Sequence, residues 1–394
     1  MTLPVSVIIP TYRRPELTAQ ALLSVYSQTA APREILVLDD ASGPSFAKLQ
    51  RACEQTAARF HPSPIRLHVE TLPRHLGMPG AVRNIAMLRS SSEWLAFLDS
   101  DDVWLPKKLQ CQWQRQQETG TRVLHCRELW LRFNRPYIAP ALALSDSDVR
   151  NEFDQQEFIM RLQQQLGHRK KQGKGQQAEL LHLAENLLLP PAASHPLPGH
   201  HRLIPQIVSQ KKQKQLREGS PARLWPDALK KCILGPSTLL LHRSVCRAVG
   251  YFDPKLQIAE DYEYFLRIIA QFAVAYCPDS LVAKRDSIPA TFASSPEVLA
   301  NNVPNVPQLS HLYPRIEPFR IAALEKLLDS PRAARLLSAA QRQEAIAELQ
   351  RKLSICLAGA RKNRNRPDGV RAGIAETAEI KSLQDKLQLW QNHP

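Results

Sequence analysis

The stretch Trp94-Leu95-Ala96-Phe97-Leu98-Asp99-Ser100-Asp101-Asp102 joins five apolar residues directly to three carboxylates. A short, continuous apolar run is typical of a strand that is buried on both faces of a parallel sheet. Carboxylates crowded at the end of such a strand repel one another unless a cation lies among them. Oxygen ligands favour Mg²⁺ or Mn²⁺, which also bind diphosphate oxygens. The stretch therefore predicts a buried strand ending at a metal-diphosphate site, and a simple helix N-cap before Trp104 is the alternative.

The first third of the chain alternates between strand-like and helix-like segments on either side of this stretch. The predicted strands are 5–10, 34–38, 65–69 and 94–98, and the predicted helices are 15–28, 45–59 and 81–90. This alternation predicts an α/β fold with a Rossmann-like, mostly parallel sheet flanked by helices. Ligands of such sheets bind at the carboxyl ends of the strands. Thr11, Asp39-Asp40 and Asp99 all fall at predicted strand ends, so we expect them to share one site.

The rest of the chain is less regular. Strands are predicted at 233–242, 273–276 and 281–285, and helices from Arg243 and from Glu260 to about Gln271. Beyond Phe319, apolar residues at three- and four-residue spacing predict amphipathic helices. The predicted domains are two sheet-forming halves (1–130 and 227–315), a partly flexible basic insertion rich in Gln, Lys and Pro (152–226), and a C-terminal helical extension (316–394).

The net charge of +15 is concentrated in one segment, because residues 161–231 hold thirteen Lys and Arg but four Asp and Glu. Such a segment either contacts an anionic surface, such as the membrane, or is a solvated insertion. It contains almost no aromatic residue for stacking bases, so we expect no nucleic acid partner. No apolar run reaches the roughly 18 residues of a membrane span, and no basic region precedes the first apolar run. We therefore expect a cytoplasmic protein, with possible peripheral contact at the inner face of the membrane.

Five motifs, in their order and spacing, resemble the family 2 glycosyltransferases, which have the GT-A fold. They are Val7-Ile8-Ile9-Pro10-Thr11-Tyr12, Asp39-Asp40-Ala41-Ser42, Gly77 through Arg83-Asn84, Phe97 through Asp102, and Phe252-Asp253 with Glu260-Asp261 through Arg267. The resemblance covers roughly 1–130 and 232–285. It implies transfer of a sugar from a nucleotide-sugar donor, in the first place a UDP-sugar, to an acceptor hydroxyl with inversion. The acceptor is a lipid-linked glycan, a protein or a small molecule.

The resemblance also implies roles for individual residues. Thr11, Asp40 and Arg83 would hold the nucleotide base and ribose, and Asp99 would lie near the ribose or the metal. Asp101 would bind the metal, Mn²⁺ or Mg²⁺. Asp261 would be the catalytic base, because inversion requires a group that takes the acceptor proton. On residue type alone, Glu260-Asp261 at the start of a helix indicate a cap and a partner of the helix dipole more strongly than a base.

The chain departs from the family pattern in two places. A related bacterial branch carries Gly-Gly-His after the strand of the second half, where this chain has Lys284-Arg285-Asp286-Ser287. Gln308-Leu309-Ser310-His311 follows more than twenty residues later, which makes His311 a candidate substitute for the family's histidine. The basic insertion is the second departure. These departures keep two alternatives open: a catalytically degenerate GT-A-like binding protein, and a protein that binds polyanions or nucleic acid through the insertion.

Overall fold

The computed structural model describes residues 1–132, 206–208, 221–285, 316–331, 335–364 and 374–392. The strands of the described residues are β1 (Thr2–Thr11), β2 (Ala31–Asp39), β3 (Arg66–Thr71), β4 (Trp94–Phe97), β5 (Val103–Trp104), β6 (Val123–Arg132), β7 (Gln206–Val208), β8 (Leu240–His242) and β9 (Ala275–Arg285). The helices are α1 (Pro15–Tyr26), α2 (Ser45–Ala58), α3 (Pro79–Arg89), α4 (Lys108–Thr119), α5 (Pro221–Lys230), α6 (Arg243–Val249), α7 (Glu260–Gln271), α8 (Glu317–Asp329), α9 (Ala339–Arg364) and α10 (Ile374–Gln391).

One sheet runs through the molecule in the order β3-β2-β1-β4-β8-β6-β9-β5, and β7 pairs with β6. Its first four strands are parallel, as the alternation of strands and helices predicts. Proline occupies the first position of both α1 and α3, where its missing N–H costs no hydrogen bond. This parallel half follows the predicted elements to within a few residues.

The second half of the sheet is assembled differently. Strand β8 pairs antiparallel with β4, β5 pairs antiparallel with β9, and β6 lies parallel to β9. The strand predicted at 233–242 is wrong for most of its length, because Pro236–Thr238 form a 3₁₀ turn that leaves β8 three residues long. The two strands predicted at 273–276 and 281–285 are one strand, β9. Register shifts against β6 around Arg127 accommodate its interruption by Pro278.

Helices cover both faces of the sheet and form two cores. Leu22 and Val25 of α1 and Leu49 of α2 pack on one face. On the other face, α3, α5 and α7 share a larger core with the C-terminal helices α8 and α9. Leu324 of α8 and Leu349 of α9 are completely buried there, and each such side chain stabilises the fold by about 1.5–3 kcal/mol. The predicted α/β fold class with its C-terminal helices is confirmed.

The domain boundaries stay predictions, and α5 runs across the one placed at 226. Most of the basic insertion lies outside the described residues, as does the whole of 286–315 with His311. None of the described helices combines the length and the apolar character needed to span a bilayer.

Candidate functional site

The carboxyl ends of β1, β2 and β4 lie along one edge of the sheet. Thr11, the last residue of β1, is paired with Asp39, the last residue of β2. On the other side of β1, Ile8 is paired with Phe97 of β4, so Asp99 emerges two residues further toward the same edge. The parallel half therefore brings Thr11, Asp40 and Asp99, three of the predicted donor-binding residues, to neighbouring strand ends.

Asp39 and Asp40 both shape the loops at this edge. The buried carboxylate of Asp39 accepts hydrogen bonds from the Ser42 backbone N–H (2.8 Å) and the Thr71 hydroxyl (2.8 Å). The two oxygens of Asp40 accept the backbone N–H groups of Leu76 (2.7 Å) and Gly77 (2.9 Å). Asp40 thus fixes the loop that precedes α3, and its contact with a donor ribose stays a prediction.

Arg83 links Asp99, just after the end of β4, to Glu260, the first residue of α7. Its guanidinium is bonded to Asp99 through Nη2 (2.7 Å) and to Glu260 through Nη1 (2.9 Å), and only 4% of the residue is exposed. Burial would lower the pKa of Arg83, but the two carboxylates hold it above its ordinary value. Burial would likewise raise the pKa of Asp99, but Arg83 and Lys284 keep it below the usual value. The pair Arg83–Asp99 is therefore fully ionised.

Glu260 is a site residue that the sequence analysis treated only as part of a motif or a cap. Burial, together with the neighbouring Asp261, raises the pKa of Glu260 to about 7 despite its bond to Arg83. The preceding residue, Ala259, has φ +61°, a left-handed conformation that is uncommon for alanine. Helix α3 also approaches closely, because a Cβ on Gly80 would lie 2.9 Å from Glu260 Cγ. Only the folded chain could reveal this packing, since Gly80 and Glu260 are far apart in sequence.

Asp99, Asp101 and Asp102 form an acidic cluster after β4. The carboxylates of Asp101 and Asp102 have partners other than Arg83. Asp101 Oδ2 accepts a hydrogen bond from Arg14 Nη1 at 2.9 Å. Asp102 is 2% exposed and accepts the Ser237 hydroxyl at 2.6 Å, while that hydroxyl oxygen accepts the Asp99 backbone N–H at 3.0 Å. Burial raises the pKa of Asp102 well above its ordinary value, and Asp101 and Asp99 add to the effect. The sequence places Arg14 just after the end of β1, at the same edge as the acidic residues, but it did not indicate which carboxylate Arg14 or Ser237 would contact.

Asp261 is half-buried at the first turn of α7. Its Oδ1 accepts the Tyr262 backbone N–H at 2.7 Å, and the Cys232 thiol lies 3.9 Å from its Oδ2. Because Arg83 is bonded to both Asp99 and Glu260, Asp99 is linked to the residue that directly precedes the predicted base.

A divalent ion fits this site only if the diphosphate supplies part of its ligands. Within the described ranges, no group of three or more His, Cys, Asp and Glu side chains is arranged to hold a metal ion. The hard carboxylate oxygens of Asp101 and Asp99 nevertheless suit Mg²⁺ or Mn²⁺, and Mg²⁺ is commonly bound by one or two carboxylates together with substrate phosphates. The donor set is therefore compatible with an ion shared with a diphosphate.

The sheet order and the acidic strand end define the GT-A class of fold. Over 98% of this chain and 81% of the other, the structure is similar to that of S. aureus TarS 1-349 in complex with UDP-GlcNAc, with a TM-score of 0.52 and 14% sequence identity. At this identity the likeness concerns the fold alone.

Residues 6–135 match the family model described as Glycosyl transferase family 2. This part of the chain is similar to that family. It is 36% identical over 110 residues to the E. coli UDP-Glc:alpha-D-GlcNAc-diphosphoundecaprenol beta-1,3-glucosyltransferase WfgD, covering 27% of this chain and 39% of that protein. It is 32% identical over 116 residues to an uncharacterized glycosyltransferase of Rickettsia bellii, covering 29% of this chain and 15% of that protein. The match therefore spans well under half the length of these two curated relatives.

Proposed function

We propose that this protein is an inverting glycosyltransferase that moves a sugar from a nucleotide-diphosphate donor to an acceptor hydroxyl. One observation carries the proposal: Arg83 bridges Asp99 of the donor-side strand end and Glu260, the neighbour of Asp261. The family 2 match and the UDP-GlcNAc complex of the similar TarS fold support a UDP-sugar as the donor.

The reaction is a single displacement. The acceptor oxygen attacks the anomeric carbon from the face opposite the diphosphate. The bond between the anomeric carbon and the diphosphate oxygen breaks, and its electron pair leaves with the diphosphate. Asp261 takes the acceptor proton, a task that suits a half-buried carboxylate at the start of a helix. Thr11, Asp40 and Arg83 hold the nucleoside, Arg83 by way of its contact with Asp99.

We assign the metal position to Asp101, with Asp99 beside it. A bound Mn²⁺ or Mg²⁺ would neutralise the negative charge that develops on the departing diphosphate. Arg14, which is bonded to Asp101, would then share that carboxylate with the ion or release it.

The acceptor is a hydroxyl of a lipid-linked glycan, a protein or a small molecule. We also propose a cytoplasmic location. Contact with an anionic membrane surface is proposed with it, and that contact rests on the positive charge of residues 161–231. Such contact weakens as salt screens exposed charges beyond about 8–10 Å. Liposome co-sedimentation that is insensitive to salt would contradict it.

The deciding experiment measures donor binding and turnover on the full chain. Thermal shift with UDP-, GDP- and dTDP-sugars, with Mn²⁺ or with EDTA, identifies the donor because a ligand that binds the folded state raises the melting temperature. Donor hydrolysis and transfer assays follow with the donor that binds. Binding without turnover would favour a degenerate binding protein, and binding of nucleic acid alone would favour the polyanion alternative.

A further inference from the structure

The end of β9 carries two adjacent basic residues, Lys284 and Arg285, which face the acidic cluster. In the antiparallel pairing of β5 with β9, Val103 lies opposite Ala283. Continuing this register by one residue brings Asp102 opposite Lys284, and by two residues brings Asp101 opposite Arg285. The basic pair therefore meets the acidic pair at the edge of the sheet where the donor site is proposed.

The surroundings of Lys284 agree with this placement. Its Nζ lies 4.0 Å from Glu128 Oε2, and its side chain is 20% exposed. Burial alone would lower the pKa of Lys284, but Asp102, Glu128, Asp99 and, more weakly, Asp261 hold it above the ordinary value. The ammonium group stays charged and is close enough to feel the charges of both the acidic residues and the predicted base.

Arg285 is more deeply buried, with 9% of the residue exposed. Burial lowers its pKa to about 10, although Asp101 and Asp102 oppose the shift. The guanidinium is therefore still charged near neutral pH. Two cations are thus kept at a site where burial works against their charge.

A diphosphate entering a site lined by carboxylates meets repulsion that cations must offset. Charged donors on Lys and Arg also form the strong, short hydrogen bonds that phosphate oxygens accept. We propose that Lys284 and Arg285 bind the diphosphate of the donor, where the related branch has Gly-Gly-His. This inference rests on the proposed function, because it takes the donor to be a nucleoside diphosphate sugar.

The competing explanation is that the two residues only balance the charge of Glu128 and Asp102. Isothermal titration of the full chain with UDP, GDP and dTDP, in Mn²⁺ and in EDTA, separates the two. The variants are Lys284→Met, Arg285→Met and the charge-balanced pair Lys284→Met with Glu128→Gln. Lys386→Met is the matched control, because Lys386 is bonded to Glu325 between the C-terminal helices α10 and α8.

For the nucleotide that the wild type binds, we expect Lys284→Met to weaken the diphosphate by about 10- to 100-fold and the matching nucleoside hardly at all. The charge-balanced pair should show the same loss, and its melting temperature shows whether it is folded. Lys386→Met should bind like the wild type. Equal loss for nucleoside and diphosphate, or recovery of binding in the charge-balanced pair, would overturn the assignment. A wild type that binds none of the three nucleotides would instead contradict the proposed function itself.

Discussion

The two halves of the sheet reach the same site by different routes. In the parallel half, β1, β2 and β3 are each followed at once by a helix, and neighbouring strands are close in sequence. In the other half, β5 pairs with β9 across more than 170 residues, and β8 joins β4 across more than 140. The parallel half supplies the acidic residues at strand ends, with Arg14 and Arg83, and the other half supplies Lys284, Arg285 and the predicted base. Local patterns therefore located the donor side, whereas the surroundings of those acids depend on long-range pairing.

The largest expected effect tests the acceptor side. Asp261→Asn keeps the shape of the residue but removes its basicity, so kcat should fall by about 10²- to 10⁴-fold. Donor affinity should not change, since Asp261 is not expected to touch the nucleotide. Steady-state kinetics and donor titration measure both quantities. Asp279→Asn, on an exposed stretch of β9, is the control, and a near-wild-type rate for Asp261→Asn would place the base elsewhere.

The donor side is tested by Asp101→Ala. This change should abolish the part of nucleotide affinity that depends on Mn²⁺ or Mg²⁺, while the melting temperature without nucleotide stays close to that of the wild type. Titration with UDP in Mn²⁺ and in EDTA measures the difference. Glu118→Ala, which removes a carboxylate paired with Arg115 on the surface of α4, is the matched control. Equal metal-dependent affinity in Asp101→Ala and the wild type would remove Asp101 from the metal site.

The contact between the halves is tested by the pH dependence of stability. The folded-state pKa of Glu260 is raised to about 7, so the folded protein holds a proton that the unfolded chain releases near its ordinary pKa. The contribution of Glu260 to the free energy of unfolding is fully present below about pH 4.5 and is lost as pH rises through about 7. The free energy of unfolding of the wild type should therefore fall between about pH 4.5 and 7, and Glu260→Gln should make this fall smaller by roughly 1–3 kcal/mol. Denaturant melts between pH 4.5 and 8 measure it, and parallel curves for the two proteins would show that Glu260 does not titrate in this range.

The last test, with a comparably small effect, concerns how closely the halves pack. Gly80→Ala should destabilise the fold by about 1–3 kcal/mol, because the new Cβ would lie 2.9 Å from Glu260 Cγ and 3.0 Å from Phe252 Cβ. Gly359→Ala, in α9, is the matched control. No atom lies within 4 Å of its Cβ position, so it should stabilise by about 0.5–1 kcal/mol. Thermal melts that shift in the same direction for both variants would contradict the close approach of α3 and α7.

The sequence by itself determined the strands and helices of the parallel half, the edge at which Thr11, Asp40 and Asp99 meet, and the helix that begins at Glu260. These follow from short-range periodicity and from the rule that parallel strands end at one edge. It also indicated the helices after Phe319 from the spacing of their apolar residues. The irregular strands β8 and β9 were mispredicted, because proline and polar residues interrupt their pattern and partners distant in sequence complete them.

Only the tertiary structure decided which charges meet. Arg83 pairs with Asp99 and Glu260, and Arg14 pairs with Asp101. The register of β5 against β9, continued by one residue, sets Lys284 opposite Asp102. Each of these arrangements joins residues from separate elements. A charged residue looks the same in sequence whether it is solvated or buried against a partner. Its pKa and its role depend on burial and on neighbours within a few ångströms, which long-range packing alone sets.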